Sequence, residues 1–80
     1  MYNDTSEVTN MSITKSVKTV LLEADMKQLE LAEAFGMSKQ TMSNKMTLDR
    51  WSGKDLLKVA ELTGCKLAFV LPNGKTIEIE

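Results

Sequence analysis

The sequence predicts a mainly α-helical domain of four helices, the middle two joined by a very short turn, followed by a C-terminal β-hairpin. Three observations predict this class. Apolar residues recur at helical spacing in four segments between Ser12 and Gly64. Gly36 and Ser38, separated by one residue, place a helix stop directly before a helix start. After Gly64 the apolar residues alternate instead, and a Pro-Asn-Gly turn divides that stretch in two.

Composition limits the classes of function. The chain has 80 residues, which corresponds to one small domain, and a domain of this size buries only about 60% of its unfolded surface. It has one cysteine and no histidine, so we expect no intrachain disulfide, no metal site and no cofactor. We expect a second copy of the chain to supply part of the missing stabilisation.

The first ten residues, MYNDTSEVTN, are polar and have neither the basic start nor the apolar core of a signal peptide. No stretch approaches the roughly 18 apolar residues of a membrane span. We therefore expect a cytoplasmic protein that does not contact a membrane, with residues 1–11 as a flexible N-terminal arm.

The first helix is predicted to begin near Ser12 and to bury one apolar face, formed by Ile13, Val17, Val20, Leu21 and Ala24. The second helix is predicted over approximately residues 27–35, with Asp25 available as its cap. It should bury Leu31, Ala32 and Phe35.

The third helix is predicted over residues 39–46, with Ser38 as its N-cap. Met42 and Met46 are four residues apart and should face inward, which leaves the polar residues outward. The single residue between Gly36 and Ser38 requires the second and third helices to pack at a steep angle, as in a helix-turn-helix.

The fourth helix should start after Ser52, with Asp55 three residues on, and end at Gly64. The hairpin that follows is predicted to place Leu71 opposite Lys75, Phe69 opposite Ile77, and Leu67 opposite Ile79. Lys66 would then face Glu80. We divide the chain into an arm (1–11), a helix-turn-helix domain (12–64) and a hairpin that serves as a dimerisation element (65–80).

Residues 27–45, KQLELAEAFGMSKQTMSNK, resemble the Cro/repressor-type (XRE-like) helix-turn-helix family. The resemblance is carried by Gln28, Glu30-Leu31-Ala32, Gly36, Ser38, Thr41, Met42 and Ser43. It implies a lambda-repressor-like fold and a sequence-specific transcriptional regulator of double-stranded DNA, of bacterial or phage type.

The charge distribution agrees with this function although the net charge is −1. Residues 36–58 hold five Lys and Arg against two Asp, which gives +3, whereas the flanking segments are acidic. The third helix would read bases in the major groove. The predicted base contacts are Lys39, Gln40, Thr41, Ser43, Asn44 and Lys45; the predicted phosphate contacts are Gln28, which the resemblance implies, together with Ser38, Lys27, Arg50 and Lys54.

Two features depart from the family pattern. The family usually has Thr or Ser as the cap of the second helix, and Lys27 occupies that place, so Asp25 or Met26 is expected to take over the cap. Many members continue into a fifth helix, whereas Cys65–Leu71 is typical of a strand here.

An isolated two-stranded ribbon is only marginally stable and leaves open edges. We therefore expect a homodimer that acts as a repressor on a palindromic operator, with an interface formed by Leu67, Phe69, Leu71, Ile77 and Ile79. One alternative is a protein-binding module, such as an antitoxin or an accessory regulator, that pairs with another protein through the hairpin. The sequence shows no phosphate-binding glycine loop and no paired carboxylates in a recognisable cleft, so we do not expect an enzyme.

Overall fold

A computed structural model describes residues 12–79. The predicted N-terminal arm (1–11) and the predicted partner of Lys66, Glu80, lie outside these residues. In chain order the elements are α1 (Ile13–Glu23), α2 (Gln28–Ala34), α3 (Lys39–Thr47), α4 (Gly53–Thr63), β1 (Ala68–Val70) and β2 (Thr76–Glu78). The predicted class, four helices followed by a hairpin, is confirmed. None of the helices in residues 12–79 is long and apolar enough to cross a membrane.

Three of the four helices begin with a serine cap. The hydroxyl oxygens of Ser12, Ser38 and Ser52 each accept a hydrogen bond from the backbone N–H three residues on. Each bond satisfies one of the N–H groups that lack a partner inside the helix. The predicted starts of α1, α3 and α4 are therefore confirmed.

Helix α2 begins differently, and the predicted cap was wrong. Lys27 is itself the N-cap in extended backbone, and its N–H donates to the Glu30 carboxylate at 2.8 Å. Asp25 instead lies in the left-handed region (φ 56°) just past α1. It ends the first helix, because the N–H of Met26 reaches back to the Leu21 carbonyl at 2.9 Å.

The same left-handed turn ends every helix in residues 12–79. The residues with positive φ at these helix ends are Asp25, Gly36, Asp49 and Gly64. After each one, the next N–H donates to a carbonyl five residues earlier in the chain. Two of these four positions are held by aspartate, which tolerates the conformation less well than glycine does.

The core lies where all four helices meet. Its buried members are Val17, Leu21, Leu31, Ala32, Met42, Met46 and Val59. Three details of the predicted α1 face were wrong. Ile13, at the first position of the helix, is 39% exposed; Ala24 is exposed because the helix has already ended at Glu23; and Thr14 is buried. The burial of Thr14 places a hydroxyl among the helices.

The hairpin has the predicted register. Phe69 pairs with Ile77, and the backbone bonds from Leu71 to Lys75 and from Ile79 to Leu67 extend the ladder on both sides. Gly74 occupies the left-handed position of the turn (φ 89°). Leu67 and Leu71 are half-buried, but Phe69 and Ile77 are 65% and 54% exposed. The part of the apolar face of the hairpin that Phe69 and Ile77 form is therefore not covered by residues 12–79.

Candidate nucleic-acid interface

The turn between α2 and α3 sets which side of α3 faces outward. Gly36 has φ 67°, the Met37 N–H donates to the Ala32 carbonyl at 2.9 Å, and α3 starts two residues later. The helix is anchored by Met42 and Met46, which are buried in the core. The opposite side carries Lys39, Gln40, Thr41 and Asn44, all exposed, with Ser43 half-buried beside them.

This outward side, which we call the α3 polar face, contains no carboxylate. A carboxylate there would be repelled by the phosphates that line a DNA groove. Its side chains are partly ordered by hydrogen bonds to one another. The Ser38 hydroxyl donates to Thr41 Oγ1 at 2.9 Å, and Gln40 Nε2 donates to Asn44 Oδ1 at 3.0 Å.

Lys45, a predicted base or phosphate contact, is bound by residues of the protein itself. Its Nζ lies 2.7 Å from Asp55 Oδ2 and 5.2 Å from the centroid of the Trp51 ring. Only 15% of its side chain is exposed. The ammonium therefore joins the end of α3 to the start of α4, and the charge is largely neutralised within the protein.

Asp55 has two roles at the start of α4. It accepts from the Ser52 N–H at 3.0 Å, which completes a capping box, and it binds Lys45. Partial burial raises the pKa of Asp55, but the hydrogen bonds from Lys45 and Ser52 and the charge of Lys45 outweigh burial and hold the pKa below its usual value.

A second polar cluster lies where α1 meets the loop after α3. The buried Thr14 hydroxyl accepts from Trp51 Nε1 at 2.8 Å and lies 2.7 Å from the Met46 carbonyl and 2.9 Å from Asp49 Oδ1. The Asp49 carboxylate also accepts the N–H groups of Thr14 at 2.8 Å and Ile13 at 3.4 Å. Asp49 thus caps α1 from a position 35 residues away in the sequence.

The bonds to Asp49 also set its ionisation. The backbone N–H and the hydroxyl of Thr14 hold the pKa of Asp49 below its usual value, and the Ile13 N–H adds to this. The negative charge is well placed, because it lies at the positive end of the α1 dipole.

The predicted phosphate contacts lie at helix starts and in one loop. Lys27 and Gln28 open α2, Ser38 caps α3, and Lys54 lies in the first turn of α4. Arg50 lies in the loop between α3 and α4. All are exposed except Gln28, which is half-buried. Helix starts present free N–H groups and partial positive charge, so this arrangement suits an anion.

Sequence reasoning missed the positioning roles of Thr14 and Asp49 and the ion pair of Asp55 with Lys45. The only local signal was the Ser52-x-x-Asp55 spacing of a capping box. Nothing near Thr14 in the sequence shows that its hydroxyl would meet residues 32 to 37 positions away.

The comparisons with known proteins agree with this geometry. The model of the bacteriophage CI repressor helix-turn-helix domain matches residues 24–76, which span α2, α3, α4 and the first strand of the hairpin. No curated protein and no solved structure gave a significant match. The family match covers more than half of the chain and includes the whole α3 polar face, and the chain therefore belongs to the CI repressor helix-turn-helix family of DNA-binding transcription regulators.

Proposed function

We propose that this protein acts as a homodimeric, sequence-specific repressor that binds a palindromic operator with α3 in the major groove. The observation that carries the proposal is the α3 polar face: an exposed, carboxylate-free set of amide, hydroxyl and lysine side chains on a helix anchored by two buried methionines. Amide side chains and lysines are the groups that read base edges in the major groove.

We choose the proposed base contacts by the solvent exposure of the side chains on α3. Lys39, Gln40, Thr41 and Asn44 are free to meet bases, with Ser43 at the edge of the surface. Lys45 is bound to Asp55, so we assign it the role of orienting α3. The proposed phosphate contacts are Lys27, Gln28, Ser38, Arg50 and Lys54, which lie at helix starts and in the loop between α3 and α4.

The homodimer is supported by the exposed apolar face of the hairpin. Two-fold pairing of hairpins would cover Phe69, Ile77 and Ile79 in both chains. A two-fold dimer presents two copies of α3, and half-sites on DNA are then about 34 Å apart, which is one helical turn.

The test is a titration of the purified full chain against a palindromic duplex obtained by selection from random sequences. We expect binding that weakens steeply with salt, because lysines and arginines displace counterions from the phosphates. Absence of salt-dependent duplex binding at low ionic strength would overturn the proposal.

A pair of lysine variants sharpens the titration. Lys54→Gln should weaken binding to all duplexes alike and reduce the slope of log K against log salt by about 1 for each affected phosphate contact. Lys18→Gln removes the same charge from the exposed surface of α1 and should leave the slope unchanged. Equal effects of the two variants would argue against a specific role for Lys54.

A second candidate function rests on the same exposed hairpin. The hairpin would pair with a different protein by adding a strand at an open edge, as in an antitoxin or accessory regulator. Sedimentation of the pure chain separates the two in part: a homodimer supports the repressor, and a monomer, whose hairpin is left unpaired, favours the second candidate.

A further inference from the structure

The α3 polar face contains one hydrogen bond between two of its proposed base-reading side chains. Gln40 and Asn44 are four residues apart, so they lie one above the other on the helix. Gln40 Nε2 donates to Asn44 Oδ1 at 3.0 Å, and both side chains are exposed. The bond uses one N–H of Gln40 and the carbonyl oxygen of Asn44.

The groups that remain differ between the two amides. Gln40 keeps its Oε1 acceptor and one Nε2–H donor. An adenine edge in the major groove offers the complementary N6–H donor and N7 acceptor. Asn44 keeps two free Nδ2–H donors, whereas one of the two lone pairs of its Oδ1 is used by the bond from Gln40. Asn44 therefore suits a base edge that offers acceptors, such as guanine N7 and O6 or thymine O4.

We propose that Gln40 and Asn44 act as one linked recognition unit, which rests on the DNA-binding function proposed above. Asn44 orients the Gln40 amide toward adenine and itself donates to an acceptor edge of a neighbouring base pair. Without the link, an asparagine amide would pair with adenine through both of its own groups. The hydrogen bond between the two amides thus changes which base edge Asn44 recognises and fixes the orientation of the Gln40 amide.

The hydrogen bond between Gln40 and Asn44 also lowers the entropy cost of ordering these two side chains on DNA. Two long polar side chains on a helix surface lose rotamer freedom when they bind a base. In this protein part of that freedom is already lost before DNA arrives, because each amide restrains the other. The two side chains are therefore expected to be strongly coupled in binding, so that removing either one affects the other.

The experiment is selection of random duplexes with the 80-residue chain and four variants. Gln40→Ala identifies the base pair that Gln40 reads, as the position whose preference it abolishes. At that position the wild-type protein is expected to favour adenine by on the order of tenfold, the usual range for one bidentate contact. Asn44→Ala should reduce the adenine preference at the same position by at least about threefold, although Gln40 is unchanged.

Two outcomes are specific to the linked unit. Asn44→Asp adds a carboxylate and should weaken binding to all duplexes, but it keeps an acceptor for Gln40. Among the duplexes still selected at low salt the adenine preference should therefore persist, while the neighbouring position shifts toward cytosine, whose N4 donates to carboxylates. Gln40→Ala frees the Asn44 carbonyl, so the neighbouring position should shift toward adenine. Both variants are at exposed positions, and thermal unfolding verifies that they fold like the wild type.

The control is Thr19→Ala, which removes another exposed hydrogen bond within one helix, the Thr19 hydroxyl to the Lys15 carbonyl at 3.0 Å in α1. It should leave every base preference unchanged. Independent effects of Gln40→Ala and Asn44→Ala, each confined to its own base pair, would overturn the linked unit while leaving the repressor function intact. No enriched sequence with the wild-type protein would overturn the repressor function itself.

Discussion

The helical body and the hairpin are built on different principles. The body, residues 12–64, buries seven core side chains and joins α1, α3 and α4 through the hydrogen bonds of Thr14, Asp49 and Asp55. The hairpin is held by its own ladder, and its apolar face is exposed. We infer that the helical body holds α3 in place and that the hairpin is available for association. Changes in the body should therefore alter stability, and changes in the hairpin should alter oligomeric state.

The largest effect on stability is expected from Met42→Ala. Met42 is fully buried under the α3 polar face, and truncation of a buried methionine costs about 2–5 kcal/mol of unfolding free energy. Urea unfolding measures this loss. Leu22→Ala is the matched control, because Leu22 is 79% exposed and should change stability by no more than about 0.5 kcal/mol. Equal losses at the two sites would contradict the observed core.

Phe69→Lys should break association without unfolding the chain. In the proposed homodimer, burying the rings of both copies is worth roughly 2–4 kcal/mol, so its dissociation constant should rise on the order of a hundredfold. Sedimentation equilibrium measures the constant. Val70→Lys changes the neighbouring residue, which is 73% exposed on the other face of the same strand, and should have a much smaller effect. If neither variant changes the association state, the apolar face is not the dimer interface.

Thr14→Val should destabilise the body by about 1–3 kcal/mol, because the Trp51 indole N–H loses its buried partner. The emission of Trp51, the only tryptophan in the chain, should shift as its surroundings change. Thr19→Val makes the same substitution at an exposed site of α1 and should cost less. A Thr14 variant with unchanged stability and emission would show that the cluster is dispensable.

Acid should weaken the body through Asp49 and Asp55. Both have a lowered pKa in the folded protein, so they contribute stability above the usual carboxylate pKa of about 3.9, and the contribution is lost as pH falls through the lower folded values. Unfolding by urea at a series of pH values from 6 to 2 measures the loss. Asp49→Asn should be less stable at neutral pH and should show a shallower acid decline. If Asp49→Asn loses stability with falling pH as steeply as the wild type does, Asp49 does not contribute to the acid sensitivity.

The smallest effect is expected at the left-handed aspartates, which share φ 56°. Asp25→Gly relieves the backbone strain and should stabilise the protein by a few tenths to about 1 kcal/mol. Asp49→Gly relieves the same strain but removes the carboxylate that caps α1, so it should destabilise. Thermal unfolding of both variants tests the contrast, and two changes of the same sign would refute the capping role of Asp49.

Most of the fold could be predicted from the sequence because its signals are local. Ser12, Ser38 and Ser52 each bond an N–H three residues away, and Gly36 and Gly64 end their helices by their own backbone conformation. The hairpin register follows from a three-residue turn and an alternating pattern. The α3 polar face was predictable for the same reason: two methionines at helical spacing determine which side is left outward.

The cap of α2 and the role of Lys45 could not be predicted in this way. Asp25 is a good cap by type, but the turn after α1 needs it in the left-handed conformation, and Glu30 serves the start of α2 instead. Lys45 is one of several lysines in a basic block, and only the packing of α3 against α4 shows that Asp55 and Trp51 hold it.

The starts of α1, α3 and α4, the hairpin register and the composition of the α3 polar face follow from the sequence alone, because each depends on residues that are close to one another in the chain. Which polar groups are buried and which charges are neutralised depends on the tertiary packing of the helices. Those outcomes depend on pairs such as Thr14 and Asp49, which are 35 residues apart and meet only when the helices pack. The residues next to a hydroxyl or a carboxylate in the sequence do not show which distant group will pack against it.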